Sequence, residues 1–320
     1  MNGKRVIEVD AKTVINFSSN FAHKLLCDGL TFSTGSACCY SCAFCYVPAL
    51  MRKNPHGIKD PGPHEDIVIR RLAPIEVIRR QLTYRDGRPK FPDPDDHRVI
   101  YASPLVDVAA NMELVRETIA ACRVILELTH WHIRLLSKSN LLPKVAEALS
   151  DHRERLIFGV STGTLDDGLA KAYEEGAPNV SKRVESLHWL QEHGFRTFGM
   201  VCPSLPLDDE ASYDAFAQGC ATVLRAGRCE HMWAEVINVR GESMARTCSA
   251  LRRGGYAAEA GRLEHVSTDK GAWEQYARST FEAHAGVYRT QPGKLRFLQY
   301  VNKASRGWWE PRQAEGAVLL

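Results

Sequence analysis

Between Gly29 and Arg240 the chain alternates short strand-like runs with longer stretches of helical spacing, and this alternation most narrows its possible folds. Gly29 to Thr34, Arg98 to Ala102, Ile133 to Leu136, Leu156 to Ser161, Thr197 to Val201 and Met232 to Val239 read as strands. Between them, Met112, Val115, Ile119, Cys122 and Leu126 fall three or four apart, on one face of a helix. Pro74 to Arg85, Pro143 to His152, Asp166 to Glu175 and Glu210 to Ala226 also read as helical, and Val184, Leu187 and Leu190 give a helix ended by Gly194. Tyr84 to His97, with three prolines, reads as a surface loop. Strands alternating with helices imply βα units and a parallel sheet, with about six units before Gly241. Periodicity is compatible with an open doubly wound sheet and with a partial (β/α) barrel. In both, ligands bind at the C-terminal ends of the strands.

Composition excludes other classes. Apolar residues make up 44% and charged residues 25% of 320 residues, as in ordinary globular proteins and unlike disordered or fibrous chains. The net charge of +3 gives no argument for nucleic acid. No apolar run reaches the roughly 18 residues of a membrane span, and Met1 to Asp10 has no apolar core of a signal peptide. These features predict a cytoplasmic protein. Its ten cysteines are then metal ligands or buried thiols rather than disulfides.

Four of those cysteines fall within eight residues: Cys38-Cys39-Tyr-Ser-Cys42-Ala-Phe-Cys45. A polar loop is a poor place for four neighbouring core thiols, so metal binding is the stronger reading. Structural zinc draws on two separated ligand pairs, and no second pair with finger spacing follows. Three thiolates spaced as Cys38-x3-Cys42-x2-Cys45 suit one face of a [4Fe–4S] cubane, leaving one iron open to an exogenous ligand. Cys39-x2-Cys42-x2-Cys45 also fits a cluster loop by spacing alone.

CxxxCxxC with an aromatic residue, Phe44, before the last cysteine resembles the signature of radical S-adenosylmethionine (SAM) enzymes. The resemblance selects Cys38 over Cys39. It implies that Cys38, Cys42 and Cys45 hold three irons, that SAM chelates the fourth, and that an electron from the cluster cleaves SAM to start radical chemistry. The fold it implies is α/β, a partial (β/α)6 barrel over residues 29–241. A segment over 1–28 precedes the barrel and a mainly helical extension over 242–320 follows it.

Later segments resemble the spore photoproduct lyase-like branch: Leu136-Ser-Lys138-Ser139, Val160-Ser161-Thr162, Glu174-Glu-Gly-Ala-Pro178 before Lys182-Arg183, and Val201-Cys-Pro203-Ser-Leu-Pro206. This match implies that Phe44 and Tyr46 border the adenine of SAM and that Ser103 lies near the methionyl group. Lys138 and Ser161 would reach the carboxylate and ribose, and Arg183 would also serve the cofactor. Each has a plainer reading: a Lys or Ser at a strand end often caps a turn, and Arg183 can pair with Glu174 or Glu175. In the strand ending Glu235-Val-Ile-Asn238-Val-Arg240, Glu235 and Arg240 cannot face the same way. Either one of them points into the barrel mouth or this is a half-exposed edge strand.

Departures from the lyase pattern matter. The lyase returns hydrogen to its product from a cysteine near the end of its second strand; here that strand reads Val99-Ile-Tyr-Ala-Ser103, so thymine-dimer repair is not expected. Cys202 is the candidate catalytic thiol in its place. The tail with Trp308 and Trp309 is read as packing rather than as a nucleic-acid contact. The radical SAM enzyme of arsinothricin biosynthesis also carries CxxxCxxC. Its likeness implies an alternative, transfer of the 3-amino-3-carboxypropyl group of SAM to trivalent arsenic, with Cys27, Cys39 and Cys202 as soft ligands. An alternative of another class is a non-catalytic iron–sulfur or zinc-binding protein. The radical reading implies a small-molecule or nucleic-acid substrate, and an electron donor such as flavodoxin or ferredoxin.

Overall fold

The computed structural model describes residues 4–53, 66–102, 104–238 and 242–320. The polar N-terminus forms β1 (Arg5–Val9) and β2 (Ile15–Asn16), followed by a 3-10 turn over Asn20–Lys24. β3 (Leu30–Phe32) then leads into β4 (Gly35–Ser36), α1 (Val47–Lys53), β5 (Ile67–Arg71) and α2 (Pro74–Leu82). The alternating body runs β6 (Val99–Ala102), α3 (Met112–Leu128), β7 (His132–Ser137), α4 (Leu142–Ala148), β8 (Leu156–Thr162), α5 (Asp167–Tyr173), α6 (Val180–Glu192), β9 (Arg196–Ser204), α7 (Glu210–Val223) and β10 (Met232–Val236). Helix starts follow the expected chemistry: Asn111, Asp166 and Asp209 each accept a backbone N–H of the first turn of α3, α5 and α7. Gly194 takes the left-handed conformation, φ 73°, past the end of α6. Tyr84–His97 forms no helix or strand beyond one isolated bridge, as its prolines predict.

Strand order settles the choice that periodicity left open. β3, β6, β7, β8, β9 and β10 lie side by side in chain order, all parallel, with no reversal of the kind a doubly wound sheet has at its switch point. Residues on one face of these strands, among them Ile100, Ile133, Phe158, Val160, Val201 and Ala234, share one core with the helices. The other face carries Tyr101, Ile157, Phe198, Met200 and Trp233, packed against Leu26 and Cys27 from the N-terminal segment. Helices on one face and a separate inner cluster on the other are the arrangement of a (β/α) barrel. The edges β2 and β12 (Ala317–Leu319) are not paired with each other, so the barrel is open.

The C-terminal region is helical in α8 (Ser243–Arg253), α9 (Ala257–Thr268), α10 (Lys270–Tyr288) and α11 (Arg306–Trp309). It also returns β11 (Leu295–Gln299) and β12 to the sheet, parallel to β10, which the sequence reading did not foresee. Runs of five and three residues after long helices carry too little periodicity to stand out. β10 is consequently an interior strand, buried throughout, and not the edge considered for Glu235-Val-Ile-Asn238. Trp309 is fully buried against Phe281 and Phe297, and the guanidinium groups of Arg278 and Arg312 both lie over the Trp308 ring, which supports packing for the tail. Among the described residues no helix is long and apolar enough to cross a membrane.

Candidate active site

The cysteine loop follows β4, itself held by antiparallel pairing to β5 beside β1 in a small second sheet. Gly35 is obligatory there: a Cβ would stand 2.4 Å from the Ile69 carbonyl oxygen. Ala37 and Ser41 have φ of 61° and 52°, a strained choice for residues with a Cβ, and neighbouring elements hold the loop in it. Ala37 N–H donates to Leu105 O at 3.0 Å, Ala43 N–H to Tyr173 O at 2.8 Å, Gly176 N–H to Tyr40 O at 3.2 Å, and Arg246 Nη2 to Cys45 O at 3.0 Å.

Cys38, Cys39, Cys42 and Cys45 are free thiols in one packed cluster with Tyr40, Phe44 and Ala177. Burial, then Asp107 and Cys45, pushes the Cys38 thiol up to about 12. Burial and then Glu174 raise Cys42, and burial raises Cys45. Buried thiols held protonated must release protons to a metal, so loading favours higher pH. Among the described residues no three Cys, His, Asp or Glu side chains converge as the ligands of one ion would. A cubane asks for something else: separate thiolates, one for each of three irons. Cys38, Cys42 and Cys45 offer three free thiols on one loop, a donor set of that chemistry. Cys39 turns its Sγ toward Ala110 O, 3.8 Å away, consistent with a residue outside the set. Cys27 and Cys202 lie elsewhere, in and beside the inner core, and do not complete a soft-ion site with Cys39.

Facing the loop are the C-terminal ends of β7 and β8. Lys138 Nζ donates to Ser161 Oγ at 2.9 Å, lies 3.5 Å from Glu174 Oε1, and sits 5.3 Å from the centre of the Phe44 ring. Burial acts to lower the Lys138 pKa, but Glu174 and Cys42 outweigh it, and the net direction is up. Ser161 Oγ in turn donates to Cys202 O at 3.1 Å. Phe44 packs edge-on against Tyr173, ring centres 5.7 Å apart. Phe44, Lys138, Ser161 and Cys42 thus share one place. Tyr46 packs against the small cluster of Ala37, Val47, Met51, Ile67 and Ile69 and donates its hydroxyl to Pro104 O. Ser103 and Arg240 lie outside the described residues.

Arg183 is 1% exposed. Its Nη2 stands 2.5 Å from Glu174 Oε2, its Nε donates to Pro178 O at 2.8 Å and its Nη1 to Ser161 O at 3.2 Å. The pairing with Glu174 follows the plainer sequence reading. Through it Arg183 fixes the carboxylate beside Lys138 and the end of β8.

Asp107 gave no sequence signal, and Glu235 gave only the alternation of its strand. Asp107, after β6, accepts from Ser137 Oγ, Lys138 N–H and Ala109 N–H at 2.7, 2.8 and 2.9 Å, and so ties the Lys138 turn to the ground beneath Cys38. Glu235 points inward from β10: Lys24 Nζ donates to it at 3.0 Å, Asn238 Nδ2 at 2.6 Å and Cys202 Sγ at 3.6 Å. Burial, then Glu235, raises the Cys202 thiol and keeps it protonated.

No protein-family model and no curated protein matches the chain. Among solved structures, a cysteine-to-serine mutant of spore photoproduct lyase matches with a TM-score of 0.56 at 13% identity. A double mutant of that lyase with bound AdoMet and dinucleoside spore photoproduct gives 0.55 at 12%. The lyase complexed with dinucleoside spore photoproduct gives 0.54 at 13%. Each match covers 78% of this chain and 66% of the lyase chain, just under two thirds of its length. At such identity the likeness is one of architecture, and it agrees with the singly wound sheet described above: the chain has the fold of spore photoproduct lyase, a radical SAM enzyme.

Proposed function

We propose that the chain is a radical SAM enzyme whose Cys38, Cys42 and Cys45 hold a [4Fe–4S] cluster. The single observation that carries this reading is the placement of the three-cysteine loop opposite Lys138 and Ser161 at the strand ends of this fold. When bound, cluster and SAM together supply a one-electron cleavage that yields a hydrogen-abstracting carbon radical.

The chain's own residues bind, orient and hold protons around that chemistry. Each of the three cysteines ligates one iron. Lys138, kept cationic by Glu174, and Ser161 anchor the polar groups of SAM, while Phe44 and Tyr46 border its adenine. Arg183 acts as a positioning residue through Glu174. Cys202 keeps its proton beside Glu235, which supports reading it as the thiol that meets a substrate radical. The inner face beneath it is filled by Leu26, Phe198 and Trp233, which supports a small-molecule substrate over a long nucleic acid.

Anaerobic reconstitution with iron and sulfide tests the reading. About four irons and four sulfides per chain are expected. Loss of the cluster in Cys38→Ala, Cys42→Ala and Cys45→Ala but not in Cys39→Ala is expected with them. One tightly bound zinc and no cluster would favour the non-catalytic reading. Transfer of the 3-amino-3-carboxypropyl group to arsenic remains the alternative reaction, distinguished by its SAM-derived product.

A further inference from the structure

The cysteine loop borders a groove of about 860 Å³, bounded by Cys39–Ser41 and Ala43, by Tyr173, Glu175 and Gly176 and by one face of α8, with Lys4 also in its lining. The mechanism above uses none of this surface. We propose that it is the docking site for a small acidic one-electron carrier protein, an inference that rests on the radical SAM reading.

Three observations converge. The first is proximity. Gly176 N–H bonds Tyr40 O and Ala43 N–H bonds Tyr173 O, so the groove wall is joined directly to the cysteine loop. Gly176 is exposed, and a Cβ there would stand 2.9 Å from Cys39 O and 2.6 Å from Tyr40 O. At this point backbone meets backbone with no side-chain layer between, and a docked carrier lies against the segment that bears the ligands. The second is charge. Lys4, Arg246 and Arg253 line the groove and exposed Lys171 donates to the Glu175 carbonyl at its rim, against the carboxylates of Glu175 and Glu242. Lys4 bonds Ser41 and Arg253 bonds Ser249 Oγ, and neither meets a carboxylate among the described residues. Their charge remains available to an acidic partner. The third is continuity. Arg246, on the same face of α8, donates to Cys45 O, so one face of α8 touches both the ligand-bearing loop and the groove.

The redox balance is simple. One electron leaves the carrier, whose flavin or iron–sulfur centre is oxidised by one unit, and enters the cluster held by Cys38, Cys42 and Cys45. No bond forms or breaks. Encounters of this kind are weak, small in area and steered by charge, so the contact must weaken as salt rises.

The test is the double charge reversal Lys4→Glu with Arg253→Glu, with reduced or oxidised flavodoxin as the probe. Binding of oxidised flavodoxin to the cluster-free chain, read by surface plasmon resonance, is expected to weaken about tenfold at low ionic strength, with the difference vanishing at high salt. In the reconstituted protein, cluster reduction by flavodoxin, followed by electron paramagnetic resonance, slows in parallel. Iron content and reduction by dithionite stay as in the parent. A remote reversal, Arg85→Glu, leaves flavodoxin binding unchanged. Unaltered binding and flavodoxin-driven reduction in the double variant would overturn the proposal, as would an equal loss in Arg85→Glu. Failure of the parent protein to assemble a cluster would sink the radical SAM reading instead, while the cluster-free binding data would still report on the groove.

Discussion

Lys138 Nζ and Ser161 Oγ, from the ends of adjacent parallel strands, are 2.9 Å apart, with the Glu174 carboxylate 3.5 Å and the centre of the Phe44 ring 5.3 Å from the ammonium. A cation so restrained has lost its side-chain freedom before any ligand arrives, which lowers the entropic cost of binding an anionic group. Lys138→Met is therefore expected to weaken SAM binding to the reconstituted protein by roughly tenfold to a hundredfold, the loss of one charge-assisted hydrogen bond of about 1.5–3 kcal/mol. Titration calorimetry reads this directly. An unchanged affinity would remove Lys138 from the cofactor site.

Gly176 offers a test of the loop's support that substitutes none of the proposed ligands. A methyl group there would collide with the backbone of Cys39 and Tyr40, at 2.6–2.9 Å, and backbone cannot step aside as a flexible side chain can. Gly176→Ala should displace the cysteine loop and cut iron incorporation at least in half, while thermal unfolding of the apo chain shifts little. Full iron loading in this variant would show that the loop adapts freely.

Acid sensitivity should come partly from His284 on α10, which is buried beside Phe216. Burial lowers its pKa from 6.5 to about 4. The unfolded chain takes up a proton in the window between those values and the folded chain does not, so this contribution is intact above about pH 6.5 and is lost as pH falls toward 4. Linkage sets the loss at up to about 3 kcal/mol. His284→Phe should flatten the dependence of the urea midpoint on pH across that window. A slope identical to the parent's would contradict the assignment.

The parts legible in the sequence are those whose physics is local. β8 and β9 read as strands because nearly every residue is buried and apolar or small. The cysteine loop read as a cluster site because ligand spacing is written along the chain. Periodicity did not reveal the helices on one face or the unreversed strand order, since both are properties of how units stack; the resemblance carried by the cysteine motif is what implied the partial barrel. Glu235 was noticed only as one of two strand residues that could not face the same way. Its partner Lys24 is 211 residues away, and no spacing rule connects the two. Asp107 escaped for a similar reason, because its role lies in three bonds it accepts around the Lys138 turn. Arg183 was legible as an arginine near Glu174, and only burial distinguishes a positioning ion pair from a solvated one.

The most direct test of the radical SAM reading is the identity of the SAM-derived product. Reconstituted protein, reduced with dithionite and incubated with SAM without added substrate, is quenched and resolved by chromatography, with and without trivalent arsenic. If Lys138 and Ser161 hold the polar groups of SAM and Phe44 its adenine, as proposed, cleavage at the 5′ carbon would be favoured, and placement on the scale of about 1 Å decides such outcomes. The expected product is 5′-deoxyadenosine, formed whether or not arsenic is present. Methylthioadenosine as the dominant, arsenic-dependent product would contradict the account and establish aminocarboxypropyl transfer in its place.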